Sequence, residues 1–277
     1  MLKMLLTSIK RIPVFLLLIC IFLSAEYADA DIAMHFLDVG HGDCTIIICD
    51  GEVMVVDGGK PGKSDMIFSF LRAHNIDHVQ AVIGTHPDND HIGGLPAVFH
   101  ASEVDVLYVP ILEHEAKRHN TLMRTAQEAG VSIMVPNDGH TFQLGGALVS
   151  IIVPNIANPT DNELSLVVRI AYGEHAFLLC ADIDSGIERL LLANGNNVRA
   201  DALKVAHHGS ETATTPAFLR AVSPAFAVIS GNDQYGAAEN DVTKRIQSAG
   251  ITLLHTYFDG SVSITSTGTE IAVSTEK

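Results

Sequence analysis

Apolar runs of strand length, separated by polar turns, recur from residue 33 to residue 265. The first three, Ala33–Leu37, Cys44–Cys49 and Val53–Val56, predict strands, and Asp57-Gly58-Gly59 ends the third. A helix is expected over Asp65–Ala73, then a buried strand over Val79–Thr85 and a helix near Leu95–Ala101. Strands follow at Val106–Val109, Ser132–Val135 and Leu148–Val153, with a helix around Asn120–Ala129 between the first two. A second half repeats this style. Its strands are expected at Ser165–Tyr172, Ala176–Cys180, Ala202–Val205 and Ala225–Ile229, and its helices near Ser185–Leu192, Pro216–Ala221 and Asp241–Ala249. Closing strands run over Thr252–Leu254 and Ser261–Thr265. No linker rich in Pro, Ser or Gly divides the halves. Strand meanders with helices outside them predict two sheets face to face, covered by helices on both outer sides.

Polar residues break this pattern most sharply after the strand that ends at Thr85. His86-Pro87-Asp88-Asn89-Asp90-His91 packs two imidazoles and two carboxylates into six residues, and Gly93-Gly94 turns the chain toward the next helix. Carboxylates this close repel one another, and a divalent cation removes that cost. A solvated acidic loop is the plainer reading, but further ligand types recur downstream. A calcium loop fails on spacing: counted from Asp88, Gly93 falls at position six, but position twelve is Phe99 where a bidentate Glu is needed.

Composition narrows the picture. The chain has 277 residues, 47% of them apolar, enough for one sizeable domain. Lys3, Lys10 and Arg11, the apolar block Ile12–Leu23 and Ala28-Asp29-Ala30 resemble a cleaved secretory signal over residues 1–30, leaving one domain over 31–277. The apolar block is short for a membrane span of about 20 residues, and Ile19 before Cys20 argues against a lipid anchor, so a secreted or periplasmic protein without a stable anchor is expected. Residues 1–30 carry three basic and two acidic side chains; setting them aside leaves 14 basic against 30 acidic, a net charge of −16. Such a surface has no general attraction for duplex DNA. There is no Trp and no basic run, so a stacking platform for single strands is not signalled either. Cys44, Cys49 and Cys180 lie in apolar runs without thiolate-zinc spacing and read as buried small hydrophobes, although one disulfide is possible in an exported chain.

The remaining acids and histidines share one kind of place. Asp57, His86, Asp88, Asp90, His91, Asp182 and His207 all follow the end of a strand-like run, where a rigid shelf can hold a site. Taken alone, Asp182 reads equally well as the N-cap of the helix from Ser185, and His207-His208 as a polar turn.

With these motifs in view the chain resembles the metallo-β-lactamase superfamily, and more closely the metallo-hydrolase domain of competence (DNA-uptake channel) proteins. The likeness covers residues 33–267. It rests on His86-x-Asp88-x-Asp90-His91, the strand ending in Asp182, and His207-His208-Gly209-Ser210. Phe36-Leu37-Asp38-Val39-Gly40-His41-Gly42-Asp43, Val56-Asp57-Gly58-Gly59, Asn162–Val168 and Val228-Ile229-Ser230-Gly231 add to it. The resemblance implies a four-layered αββα sandwich with a two-metal site at the sheet edge. Carried over, His86 and Asp88 would hold one divalent ion, Asp90, His91 and His207 the other, and Asp182 would bridge them. Asp90 would also take a proton from the activated water, and His208 with Ser210 would contact substrate phosphate. Asp57 would orient a ligand imidazole; Asp38 and Asn162 are further candidates for support or substrate contact.

Three departures bear on function. Asp88 stands where the superfamily more often has histidine, which favours harder ions, so manganese gains on zinc. His41 replaces the usual glutamine of Gly-Gln-Gly-Asp, as an extra polar contact or a spare ligand. Ala237 replaces the histidine of Tyr-Gly-His-Pro. The implied activity is phosphodiester hydrolysis by two-metal-activated water, on a nucleotide, a short nucleic acid or another small phosphodiester. Hydrolysis of a carboxylic ester, thioester or lactam by the same metals is the alternative. A non-catalytic binding module is the third reading.

Overall fold

The computed structural model describes residues 31–236 and 238–277. The expected signal segment and Ala237 lie outside the described residues. The first sheet uses β1 (Ile32–Phe36), β2 (Thr45–Cys49), β3 (Glu52–Val56), β4 (His78–Ile83), β5 (Glu103–Tyr108) and β6 (Ser132–Met134). The second uses β7 (His140–Leu144), β8 (Ala147–Ile152), β9 (Val167–Tyr172), β10 (His175–Leu179), β11 (Ala202–Lys204), β12 (Phe226–Ile229) and β13 (Thr252–His255). The chain then returns to the first sheet with β14 (Val262–Ser266) and β15 (Ile271–Thr275). The sheet orders are β15-β14-β1-β2-β3-β4-β5-β6 and β13-β12-β11-β10-β9-β8-β7.

Alternating residues of each strand go to different cores. Met34, Ile47, Met54 and Ala81 share one cross-strand row of the first sheet. They pack with Val149, Ile151, Val168, Ile170 and Phe177 of the second into a core between the sheets. The opposite face of the first sheet (Ile46, Val55, Val82) is covered by α1 (Ser64–Ala73), α2 (Asn89–Ile92), α3 (Pro96–Ala101) and α4 (Lys117–Glu128). The outer face of the second (Leu178, Leu203, Ala227) meets α5 (Ser185–Ala193), α6 (Pro216–Val222) and α7 (Asp241–Ser248). A short helix, α8 (Thr256–Asp259), follows β13. Three cores between four layers make the αββα sandwich expected from the sequence.

Two placements differ from the sequence reading. The strand expected over Leu148–Val153 belongs to the second sheet, between β7 and β9. Its partner β7 was not expected, because His-Thr-Phe-Gln-Leu holds only two large apolar residues. The closing strand over Ser261–Thr265 pairs with β1, Phe36 opposite Val262, rather than ending the second half. All five residues of β1 are buried, so an open edge there would leave backbone groups unsatisfied. The hairpin β14–β15 covers it.

In each sheet the strands that carry the site run parallel: β3 to β6 in the first and β10 to β13 in the second. Their C-terminal ends gather at one edge of the sandwich. Among the described residues no helix is long and apolar enough to cross a membrane. Cys44, Cys49 and Cys180 are free, buried thiols, and burial pushes Cys49 up to about 11.

Candidate metal centre

The chain delivers its chemistry at this edge through backbone turns that side chains ordinarily avoid. Asp57 after β3, Ala181 after β10, and His207 and His208 after β11 have φ of 57°, 45°, 51° and 52°. Left-handed backbone at non-glycine residues costs of order 1–3 kcal/mol each and persists only where its surroundings hold it. At His207-His208 the left-handed pair lets two adjacent residues leave the turn in different directions. Gly42 has φ of 136°, and any Cβ there would drive into the carbonyl of Asp90. That glycine lets the Asp43 loop lie against the metal-type loop, where Asp43 N donates to Asp90 O at 3.1 Å.

Asp43, His91, Asp182 and His208 lie within reach of one another, and His41, Asp90 and His208 form a second, adjoining group. His208 Nε2 lies 3.3 Å from His91 Nε2, 3.4 Å from Asp182 Oδ2 and 3.9 Å from Asp90 Oδ2. His91 Nε2 is 3.2 Å from Asp182 Oδ1. Ligands held tetrahedrally at about 2.1 Å from a zinc-sized ion sit roughly 3.4 Å apart, and the separations among His91, Asp182 and His208 are close to that. Two imidazole nitrogens and two carboxylates are also a donor set that suits zinc or manganese. Beside this group His86, 1% exposed, turns Nε2 toward Asp88 Oδ2 at 3.7 Å. That nitrogen makes no hydrogen bond. An orphaned buried nitrogen next to a carboxylate is a second place where a cation fits.

Behind the imidazoles stands a layer of acceptors that fixes which nitrogen faces the centre. His91 Nδ1 meets Asp57 Oδ2 at 2.8 Å, and Asp57 in turn accepts from Thr85 N and Thr85 Oγ1. His208 Nδ1 meets Ser230 O at 2.9 Å. Acceptors at both Nδ1 atoms set the tautomers whose Nε2 atoms are free to ligate. Asp43 lies on this outer side too, 3.3 Å from His208 Nδ1 and 3.7 Å from His91 Nδ1. Its other neighbour is the buried ammonium of Lys204.

The charges are strongly linked. Burial by itself would lower the pKa of His208, but Asp182 and Asp43 outweigh it and hold it near 9. His91 is raised well above the usual range, against the effect of burial, by Asp182, Asp57 and Asp43. Asp182 is held well below the usual carboxylate range, although burial opposes this, because His91 and His208 face it. Asp43 is likewise held to about 2, Lys204 being the largest influence opposing its burial.

The structure brings together His91, Asp182, Asp90 and His208, with His86 and Asp88 adjoining. His207, expected as a ligand, lies on the rim with its side chain 20% exposed, 3.8 Å from Asp182 Oδ2 and 3.4 Å from Tyr235 Oη. His208, expected to touch substrate, is the buried imidazole of the facing group. Asp57, expected to orient a ligand imidazole, lies 2.8 Å from His91 Nδ1. Ser210 bonds Thr212 at 3.0 Å, and Thr212 reaches His207 at 3.5 Å. Asn162 opens a short turn, and it is the neighbouring Ser165 whose Oγ accepts from Asp182 N. Asp38 turns its own loop through Gly40 N at 3.2 Å. His41 makes a polar contact, Nε2 to Asp90 Oδ2 at 3.0 Å, and its ring lies 4.6 Å from that of His208. Lys204 and Tyr235 were not among the expected site residues. A lysine inside the apolar run Leu203-Lys204-Val205 was the available signal.

A family model described as the metallo-beta-lactamase superfamily matches residues 37–231. Among curated proteins the chain is 28% identical over 269 residues to ComE operon protein 3 of Bacillus subtilis (strain 168), covering 90% of this chain and 34% of that one. It is 27% identical over 235 residues to competence protein ComA of Neisseria gonorrhoeae, covering 83% and 32%. The chain thus spans about a third of the length of these curated relatives. Among solved structures, CmlA, a diiron beta-hydroxylase from Streptomyces venezuelae, aligns with TM-score 0.57 at 15% identity, over 86% of this chain and 54% of that one. YhfI from Bacillus subtilis, described as a metallo-beta-lactamase fold protein, aligns with TM-score 0.53 at 13% identity, over 80% and 95%.

Proposed function

The chain belongs to the metallo-β-lactamase superfamily, and from that premise we propose a metal-dependent hydrolase of small phosphodiesters. The carrying observation is that His91, Asp182 and His208 face one another at 3.2–3.4 Å, with Asp90 3.9 Å from His208. These four would hold one divalent ion. His86 and Asp88 would hold a second, with Asp182 as the acid expected to be shared. Zinc and manganese both suit the set, and Asp88 adds oxygen character that favours manganese. When bound, such ions supply the Lewis acidity that makes water nucleophilic near neutral pH.

The protein's own groups do the rest. Asp90, reached by His41 at one oxygen, would take a proton from the attacking water. Asp57 and the carbonyl of Ser230 hold the two imidazoles in aim. At the rim, burial together with the nearby positive charges of His208 and Lys204 lowers the pKa of His207 despite Asp182. His207 therefore stays neutral near pH 7 and can share a proton with Tyr235 Oη or with a phosphoryl oxygen. Polar rim donors of this kind support a phosphodiester over an apolar acyl group. The acidic charge balance supports a small substrate over duplex DNA.

The test loads the purified protein with zinc or manganese and offers it phosphodiester, carboxylic ester, thioester and lactam substrates. Phosphodiesters should be cleaved, and Asp90→Asn should lower that rate by about 10²-fold or more, the scale of a lost general base. Good cleavage of lactams or thioesters with none of phosphodiesters would contradict the proposal. No cleavage of any substrate with metal bound would turn the account toward a binding module.

A further inference from the structure

Lys204 is 2% exposed, in the last position of β11, on the side of that strand that faces the opposite sheet. A lysine so placed is rare without a partner, since desolvating an ammonium is costly. Its Nζ contacts Asp43 Oδ2 and donates to Ala181 O at 3.2 Å. Asp182 and Asp57 also act on it. Asp43 is the carboxylate in contact, and Asp57 borders the same small cavity. The cavity beneath, bounded by Asp43, Asp57, Thr85, Ala181 and Lys204 among others, is about 10 Å³, the space of a single water. No hydrated ion could enter there in place of the ammonium.

The contacts of Asp43 explain what this cation does. By position Asp43 is within reach of the same group as His91, Asp182 and His208 and could serve as a ligand itself. One of its oxygens pairs with Lys204; the other lies 3.3 Å from His208 Nδ1 without a hydrogen bond. Through Ala181 the same ammonium also grips the residue before Asp182, and it lies three residues ahead of His207. One side chain thus joins the Asp43 loop, the Asp182 turn and the His-His turn.

We propose that Lys204 is a cation built into the centre, a positioning residue that withholds Asp43 from the bound metal. Asp43 then remains an outer support shared by both imidazoles, and the ligand set is assembled before metal arrives. The inference rests on the metal-centre reading above and adds Lys204 and Asp43 to it. Electrostatics alone would predict the opposite sign for its removal, because deleting a nearby positive charge should strengthen cation binding.

The experiment compares wild type, Lys204→Met, Asp43→Asn and the double variant Asp43→Asn/Lys204→Met. Affinity for Zn²⁺ is measured by competition with a chelator, and the visible absorption of the Co²⁺-loaded protein reports coordination. Lys204→Met should lose about tenfold or more in affinity, the scale of a lost outer support, and should change the Co²⁺ bands as the freed Asp43 carboxylate moves onto the metal. The double variant, with no free carboxylate, should return the bands close to those of wild type. Unchanged or tighter binding by Lys204→Met would overturn the proposal, as would bands that stay altered in the double variant. If Lys204→Met fails to fold, the bands of the double variant decide. Metal-free melting provides a separate arm: Lys204→Met should melt below the double variant, and the reverse order would overturn the proposal. A wild type that binds no metal sinks the metal-centre reading, and the melting order still decides whether Lys204 and Asp43 form the assembling pair.

Discussion

At the scale of residues, the centre is a balance between carboxylates and imidazoles that a cation would tip. His208 and His91 have raised pKa values in the protein alone. A group whose folded pKa lies above its unfolded value lends stability that is complete below the unfolded pKa and lost as pH rises through the folded one. For His208 that window runs from its ordinary 6.5 to about 9. The metal-free protein should therefore lose melting temperature between pH 6.5 and 9, whereas metal-loaded protein, its imidazoles already neutral, should not. Thermal unfolding across that range with and without chelator checks this; a flat metal-free profile would contradict the charge balance. His91, Asp182 and Asp90 were legible in the sequence because carboxylate and imidazole crowd the ends of apolar runs. Which of His207 and His208 turns inward was not. Adjacent residues carry no periodicity to tell them apart, and the left-handed turn that separates them has no residue signature of its own. Lys204 was hidden for a related reason, since a single charge inside an apolar run reads as an interruption until its partner Asp43, some 160 residues earlier, is brought beside it.

At the scale of elements, strand ends and helix starts divide the polar work. Asp182 read equally well as a cap for the helix beginning at Ser185. The structure gives that task to Asp184, whose Oδ1 accepts from Gly186 N at 2.8 Å and Ile187 N at 2.9 Å. Asp182, two residues earlier, is released to face His91 and His208. Asp184→Ala should cost about 1 kcal/mol, as lost N-caps do, and leave metal affinity unchanged. Chemical denaturation and a metal titration measure the two effects, and a large loss of metal affinity would show that cap and centre are not separate. Strand and helix positions were largely legible because apolar period and turn residues agree. The partners of strands were less so: β7 is too polar to announce itself, and β14 pairs with a strand more than 220 residues earlier. Pairing over such distances is decided by which edge needs covering, and local pattern does not encode it.

At the scale of the whole molecule, four layers leave one sheet edge where parallel strands from both sheets end together. Asp57 and the His86–His91 loop come from the first sheet, Asp182 and the His207-His208 turn from the second. The centre therefore exists only when the two sheets pack, and the core between them is what sets its distances. The layered architecture was legible from alternating apolar strands and flanking helices. The floor of the centre, where Asp43 and Lys204 meet between the sheets, depends on that packing and was not. The proposed centre places divalent metal on His208 and not on His207. Anomalous diffraction from crystals of the zinc-loaded protein tests it most directly. The account predicts one ion within about 2.0–2.2 Å of His91 Nε2, His208 Nε2 and the carboxylates of Asp90 and Asp182, with a second at His86 and Asp88. An ion held by His207 in place of His208, or no ion at this edge, would contradict it.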